Sequence, residues 1–187
     1  MNIIFTTINT DKEIQQLLNL QQKNLTKNIS DDLANSQRFV TVVHNFDLLS
    51  RMNKSVPQII AKDGDEVVGY ALVMPKSFRF DIPVLTAMFE LMDGLAYKGK
   101  LIKDTQYYAM GQICVAEGYR GRGIFDGLYA KHKENLSTRF ELCVTEIAKR
   151  NTRSLAAHKR VGFEIIHEYF DTIYPELWEV EIGRAHV

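Results

Sequence analysis

The sequence has 187 residues, of which 45% are hydrophobic, and its 23 Lys and Arg balance its 23 Asp and Glu. The balanced charge argues against the strong basic surface that nucleic acids and anionic membranes attract. The length and apolar content suffice for one substantial core and are too small for two ordinary domains. We therefore predict a single domain over residues 1–180, with no nucleic acid or membrane among its partners.

The sequence also predicts where the protein is found. No apolar run approaches the ~20 residues that span a bilayer, and residues 1–14 lack the basic, apolar and small-residue order of a signal peptide. We expect a cytoplasmic protein. Cys114 and Cys143 lie in apolar runs, where a free cysteine usually packs as a small hydrophobic group, so we expect neither a disulfide nor a nucleophile, and no metal site.

The predicted elements alternate between strands and helices. Apolar residues repeat with helical spacing after Thr10, and an Asp-Gly turn at Gly64 separates two apolar runs, as in a β-hairpin. In chain order we predict a strand over residues 2–7, helices over 10–25 and 30–53, strands over 58–62, 66–74 and 107–115, a helix from 124, a strand over 140–148, a helix over 151–161, and strands over 164–171 and from 178 onward.

An unusually long connection joins the strand that ends near residue 74 to the one that begins near residue 106. Such a connection is usually functional or folded. It combines aromatic and apolar residues with the carboxylates Asp81, Glu90 and Asp93. These carboxylates could receive a cationic amine, or the segment could serve packing alone, and the sequence leaves both interpretations open.

A glycine-rich turn, Arg120-Gly121-Arg122-Gly123, separates the strand over residues 107–115 from the next helix. Glycine tolerates positive φ and lets the backbone approach a ligand, so the turn can direct its N–H groups toward an anion. The first turn of the helix adds N–H groups and the positive end of the helix dipole. We predict a phosphate or pyrophosphate site here, and a tight turn without a ligand is the alternative.

Two common phosphate-binding motifs do not fit this turn. The P-loop requires Lys and then Ser or Thr after its last glycine, whereas Gly123 is followed by Ile124 and Phe125. The dinucleotide fingerprint requires Gly-x-Gly-x-x-Gly, and Gly127 lies one residue too far along the chain. An adenine dinucleotide is therefore a poor candidate ligand.

The turn resembles the acyl-coenzyme A loop of the GNAT superfamily, the Gcn-related N-acetyltransferases. The family pattern is Gln or Arg, two residues, Gly, one residue, and then Gly or Ala. Arg120 and Gly123 match this pattern, and Phe125 departs from it.

A second motif lies about 30 residues later. Asn151 or Thr152 can cap the start of a helix, while Gly162 suits the left-handed residue just past its end, where Phe163 can make the closing hydrophobic contact. This order resembles the second GNAT signature, in which an Asn is followed by a small residue three positions on and a closing Gly-Phe. Ser154 is that small residue, and His158 stands where many members carry Tyr.

The resemblance extends to the order of all predicted elements. It implies an α/β protein with the GNAT fold, which has a central mixed, mostly antiparallel sheet, helices on both faces and two splayed parallel strands. Those strands would be residues 107–115 and 140–148, with coenzyme A in the V between them. The acetyl-CoA cosubstrate, with no metal, is the cofactor that the family implies.

The resemblance also assigns the cofactor contacts. Backbone groups near Ile113 and Val115 would pair with the pantetheine amides, the turn would hold the pyrophosphate, and the helix at 151–161 would contact the pantetheine arm. The two arginine side chains of the turn would either bind phosphate or be solvated. The expected cofactor-binding residues are Ile113, Val115, Arg120, Gly121, Arg122, Gly123, Ile124, Phe125, Asn151 and Ser154.

The residues that move protons are less clearly marked. In many members the Tyr at the position of His158 protonates the departing thiolate, and His can also donate a proton, or it can be a half-exposed helical residue. Some members use a strand Glu as the base, but residues 107–115 contain no carboxylate. Glu146 and Glu117 are the nearest alternatives in sequence, and base action through water is a further one. The catalytic candidates are His158 and Glu146.

The sequence thus predicts an acetyl-CoA dependent N-acetyltransferase that acts on the amine of a small molecule or peptide, as a monomer or a homodimer. The alternative is a non-catalytic module that binds acyl-CoA for regulation. Residues 181–187 are what one frame of a common sequencing adapter encodes, and we expect them to derive from adapter read-through, with a native polar tail as the alternative.

Overall fold

The computed structural model describes residues 2–25, 42–172 and 175–184. Its strands are β1 Ile3–Thr7, β2 Ile59–Asp63, β3 Glu66–Pro75, β4 Ala96–Tyr97, β5 Lys100–Leu101, β6 Tyr107–Val115, β7 Leu142–Ala148, β8 Glu164–Asp171 and β9 Glu176–Arg184. Its helices are α1 Asp11–Lys23, α2 Phe46–Ser55, α3 Thr86–Gly94, α4 Ile124–Leu136 and α5 Thr152–Arg160.

The fold class is mixed α/β, as predicted. Seven strands follow the order β1-β2-β3-β6-β7-β9-β8 in a mostly antiparallel sheet, in which β6 and β7 are a parallel pair, and β4 and β5 form a separate hairpin. The chain forms two compact units, residues 1–73 with 111–132 and residues 74–110 with 133–187. None of the helices in the described ranges is both long and apolar enough to cross a membrane.

The first unit begins with β1, continues through the helices α1 and α2, and then forms the β2–β3 hairpin. β1 pairs antiparallel with β2, which turns into β3 at Gly64, where φ is +59° as the predicted Asp-Gly turn requires. Thr10 and Glu13 form a reciprocal capping box, so α1 begins where the sequence predicts. The second predicted helical region, residues 30–53, contains most of α2. Its first part falls on residues 26–41, which lie outside the described ranges.

In the second unit, β7 lies between a parallel and an antiparallel neighbour. It pairs with β6 from Tyr107 opposite Leu142 to Ala109 opposite Val144, and with β9 along its full length, as far as Ala148. The parallel ladder therefore ends before β7 does. This limited pairing agrees with the predicted pair of parallel strands that separate.

The long connection after β3 is folded, in agreement with the expectation that a connection of this length is functional or folded. It contains α3, the β4–β5 hairpin and short 3-10 turns. Asp93 in α3 accepts hydrogen bonds of 2.8 Å from Arg79 Nη1 and from the Tyr107 hydroxyl. The carboxylate of Asp93 thus links the connection to β6, and these bonds favour a packing role over amine binding for this residue.

β9 includes the first four of the seven residues that we expect to come from adapter read-through. Among them Glu181 is 2% exposed, and its Oε2 has no hydrogen-bond partner in the described part of the chain. Burial, with the nearby charge of Glu179, raises the pKa of Glu181 to about 7. A buried carboxyl without a partner is energetically unfavourable in a strand.

Candidate cofactor and active site

The turn between β6 and α4 has the backbone conformation of an anion-binding loop. Ala116 N–H donates to Val68 O at 2.8 Å, which ties the start of the turn to β3. Gly121 and Gly123 have φ values of +73° and +75°, as the sequence analysis predicts. The first helical hydrogen bond runs from Gly127 N–H to Gly123 O at 3.0 Å. The preceding N–H groups of α4 therefore have no acceptor within the helix.

The two glycines are required by backbone conformation and not by crowding. A Cβ added to either Gly121 or Gly123 would meet no heavy atom within 4 Å. The space beside the turn is therefore open in the first unit. The positive φ values, the open space and the start of a 13-residue helix together fit the pyrophosphate of coenzyme A.

The side chain of Arg120 makes hydrogen bonds to other groups of the first unit. Its Nε donates to Val115 O at 3.2 Å and its Nη2 donates to Asn24 Oδ1 at 3.0 Å, so it joins the turn to the ends of β6 and α1. These two bonds hold the guanidinium of Arg120 against the protein, and its contact with phosphate stays a prediction. Arg122 is exposed, and it is the better candidate for a charge-assisted phosphate contact.

The other predicted cofactor residues of the first unit flank the turn. Ile113 and Val115 are half-buried residues of β6. Ile124 is buried at the start of α4, with 2% of its surface exposed, while Phe125 packs on Tyr129 one turn later, with ring centroids 5.1 Å apart. Phe125 is the residue that departs from the family pattern, and the structure uses its ring for packing along the helix.

In the second unit, α5 has both of its predicted caps. Asn151 Oδ1 accepts from Ser154 N–H at 3.1 Å and so closes the start of the helix. At the other end Phe163 N–H donates to His158 O and Gly162, at φ +95°, donates to Lys159 O, which is the Schellman arrangement. The second motif thus accounts for the ends of a helix, and the contacts of Asn151 and Ser154 with the pantetheine arm stay predictions.

His158 is a buried residue rather than a half-exposed one. It is 2% exposed, its ring meets the Phe163 ring edge to face, and burial lowers its pKa to about 4. Its Nδ1 lies 2.9 Å from Ser154 O, and because a carbonyl can only accept, Nδ1 carries the ring proton. The neutral ring then has no proton on Nε2, which weighs against His158 as the general acid.

Glu146 has the properties of a proton acceptor. Burial raises the pKa of Glu146 to about 7, so its carboxyl can exchange a proton near neutral pH. The Tyr169 hydroxyl donates to Glu146 Oε2 at 3.0 Å, while Oε1 is buried and has no hydrogen-bond partner among the described residues. By contrast Glu117, the other carboxylate considered, is exposed in the turn.

One polar cluster of the first unit is not predicted by the sequence. It joins Gln21, His44, Tyr70 and Gln112 by side-chain hydrogen bonds. The sequence feature that points to the cluster is Gln112, the one amide side chain in the otherwise apolar strand over residues 107–115. Its partners lie 42 or more positions away in sequence, so spacing alone could not find them. Among described residues, no group of three or more His, Cys, Asp or Glu could hold a metal ion.

Comparison with known proteins identifies the family. The sequence model of the acetyltransferase (GNAT) family matches residues 16–163, and the chain therefore belongs to this family. No curated protein is significantly similar in sequence.

Solved structures show the same fold at low identity. The GNAT acetyltransferase of Streptococcus pneumoniae has a TM-score of 0.66 and 10% identity, over 98% of this chain and 99% of that one. NAA60 of Arabidopsis thaliana, solved with acetyl-CoA, has a TM-score of 0.64 and 14% identity, over 98% of this chain and 99% of that one. The ribosomal-protein-alanine N-acetyltransferase of Brucella melitensis has a TM-score of 0.63 and 17% identity, over 97% of this chain and 99% of that one.

Proposed function

We propose that this protein transfers the acetyl group of acetyl-CoA to the amine of a small molecule or peptide. The observation that carries the proposal is the turn at residues 120–125, with Gly121 and Gly123 at positive φ directly before α4. Membership of the acetyltransferase family and the acetyl-CoA complex of the similar Arabidopsis protein support it.

The reaction has three requirements. The cofactor must be held so that the amine nitrogen reaches the thioester carbonyl, the amine must lose a proton, and the thiolate must leave. We assign the first to the backbone of the turn and the second to Glu146, whose buried carboxylate has a pKa of about 7. Attack forms the C–N bond, and collapse of the tetrahedral adduct breaks the C–S bond.

Thiol release from acetyl-CoA, measured across a panel of amines, tests the proposal. We expect release above the hydrolysis background for at least one class of amine, with the acetylated amine found in equal amount by mass spectrometry. The second candidate function is a non-catalytic acyl-CoA module, which is favoured by the absence of a carboxylate from β6. Binding of acetyl-CoA without release for any amine of the panel would support this second function.

A further inference from the structure

The cluster of Gln21, His44, Tyr70 and Gln112 is built from uncharged side chains in the core of the first unit. Gln21 is 1% exposed, His44 is 3% exposed and Tyr70 is fully buried. Burial also raises the pKa of Tyr70 well above 10, which keeps its hydroxyl protonated. Gln112 lies in β6 directly before Ile113, one of the residues expected to meet the pantetheine arm.

The hydrogen bonds fix the orientation of both amides. Gln112 Nε2 donates to Val42 O at 3.0 Å, so its Oε1 faces the Tyr70 hydroxyl at 2.6 Å and Gln21 Nε2 at 2.8 Å, and accepts from both. His44 N–H donates to Gln21 Oε1 at 2.9 Å, which identifies the other side-chain atom of Gln21 as nitrogen.

This orientation determines the tautomer of His44. Gln21 Nε2 has two hydrogens, of which one is directed to Gln112 Oε1 and the other to His44 Nδ1 at 2.9 Å. Since Nδ1 must accept, the ring proton is on Nε2. Protonation of Nδ1 would set two donors against each other, and burial already lowers the pKa of His44 to about 4.

His44 therefore presents a buried N–H donor, and that donor has no acceptor in the described ranges. Its Nε2 is inaccessible to solvent and makes no hydrogen bond there. Leaving a buried donor unsatisfied costs free energy, whereas the amide and hydroxyl groups around it are hydrogen-bonded to one another. An acceptor oxygen at Nε2 would remove this cost.

We propose that His44 Nε2–H is a recognition group that donates to an uncharged carbonyl oxygen of a bound ligand. The oxygen is uncharged because the cluster offers no cation to balance a buried carboxylate. This inference rests on the proposed function, which supplies two sources of such an oxygen. They are the pantetheine amides of coenzyme A and an amide next to the amine of the acceptor.

Proton and nitrogen NMR of the full chain with labelled histidine tests each step. In the free protein we expect His44 to be the Nε2–H tautomer, assigned by the loss of its signals in His44→Phe. His132 is an internal control, because its Nε2 already lies 3.2 Å from Ala71 O and it is equally buried. The Nδ1–H tautomer at His44 would overturn the inference without any ligand.

The ligand arms use coenzyme A alone and then coenzyme A with L-alaninamide, L-alanine or isopropylamine. If the pantetheine supplies the oxygen, we expect the His44 Nε2–H resonance to move downfield with coenzyme A alone. If the acceptor supplies it, we expect the resonance to move only when L-alaninamide is added. L-alanine and isopropylamine should leave it in place, and His132 should not respond. In His44→Phe the affinity for the responding ligand should fall at least tenfold.

The failures of the two proposals are distinguishable. If an amine of the panel is acetylated but neither coenzyme A nor L-alaninamide moves the His44 resonance, the inference is wrong and the proposed function stands. If the resonance moves but no amine is acetylated, the recognition group is confirmed and the enzymatic function is wrong.

Discussion

Gly123 is the residue on which the cofactor prediction depends most directly. Its φ of +75° suits glycine, and a side chain there would project into the open space beside the turn. We predict that Gly123→Val abolishes the binding of coenzyme A, because the β-branched side chain opposes the turn geometry and blocks the approach of the phosphates. Isothermal calorimetry with coenzyme A measures the effect.

Gly99 supplies the matched control for backbone strain. It has φ +81°, it lies in the turn between β4 and β5, and a Cβ there would also meet no heavy atom within 4 Å. Gly99→Val should lose a similar amount of stability while it binds coenzyme A normally. Unchanged affinity in Gly123→Val would place the phosphates elsewhere on the protein.

Glu146 is the residue that we assign to proton removal. Glu146→Gln should lower kcat about a hundredfold while leaving the affinity for coenzyme A intact. In the unmodified enzyme kcat/KM should rise through about pH 7 as the Glu146 carboxyl ionises. The hydrogen bond from Tyr169 lowers the pKa of Glu146, so Tyr169→Phe should move this rise to higher pH.

His158 is the control for the assignment of Glu146. As a buried ring packed on Phe163, it should affect stability more than turnover. His158→Gln should lower the melting temperature and keep the same pH profile. A selective loss of turnover in His158→Gln, restored by His158→Tyr, would instead make His158 the general acid and contradict a purely structural role for its ring.

Among the elements, α4 connects the turn to the core. A Cβ on Gly127 would lie 2.0 to 2.5 Å from three carbons of the Phe5 ring, so the helix is held close to β1. We predict that Gly127→Ala destabilises the protein by about 1–3 kcal/mol, because the ring must move out of a packed position. Urea unfolding measures the change.

Gly94 at the end of α3 is the matched control for Gly127. A Cβ at Gly94 would meet nothing within 4 Å, so Gly94→Ala should be neutral or slightly stabilising. An equally neutral Gly127→Ala would show that the Phe5 ring moves freely and that α4 is not held by this contact.

The elements that sequence predicts well are those with local signals. β6 and β8 have the predicted bounds, and Thr10, Gly64 and Gly162 lie at the turns and caps expected of them. The fold within the long connection was not predicted in detail. Asp93 of α3 bonds to Arg79 and to Tyr107, each 14 positions away, and such contacts leave no local signal in the sequence.

The candidate site likewise has features that the sequence predicts and features that it does not. The turn conformation follows from the glycines at 121 and 123, so it could be predicted from sequence. The internal role of Arg120, the burial of His158 and the tautomer of His44 each depend on partners in other elements. Such contacts between distant residues leave no spacing signal.

At the scale of the whole molecule, buried titratable groups set the dependence of stability on pH. Burial lowers the pKa of His44, His132 and His158 to about 4, so the unfolded chain binds these three protons more tightly below about pH 6.5. Burial raises the pKa of Glu146 and Glu181 to about 7, so the folded state binds these two protons more tightly.

Between pH 5 and 6 these opposing groups leave a net of about one proton released on folding. We predict that the free energy of unfolding rises with pH there, by about 1.4 kcal/mol per pH unit. Glu146→Gln removes one opposing group and should nearly double this slope, as measured by urea unfolding at several pH values. A free energy of unfolding that falls with pH in this window would contradict the burial of the three histidines.

The binding of acetyl-CoA tests the central claim most directly. A ligand at about 100 times its dissociation constant stabilises the folded state by about 2.7 kcal/mol, which corresponds to a melting temperature higher by about 5 to 10 °C for a chain of this size. We predict such a rise when the folded protein is saturated with acetyl-CoA. An unchanged melting temperature would contradict the claim that this chain is an acetyl-CoA dependent transferase.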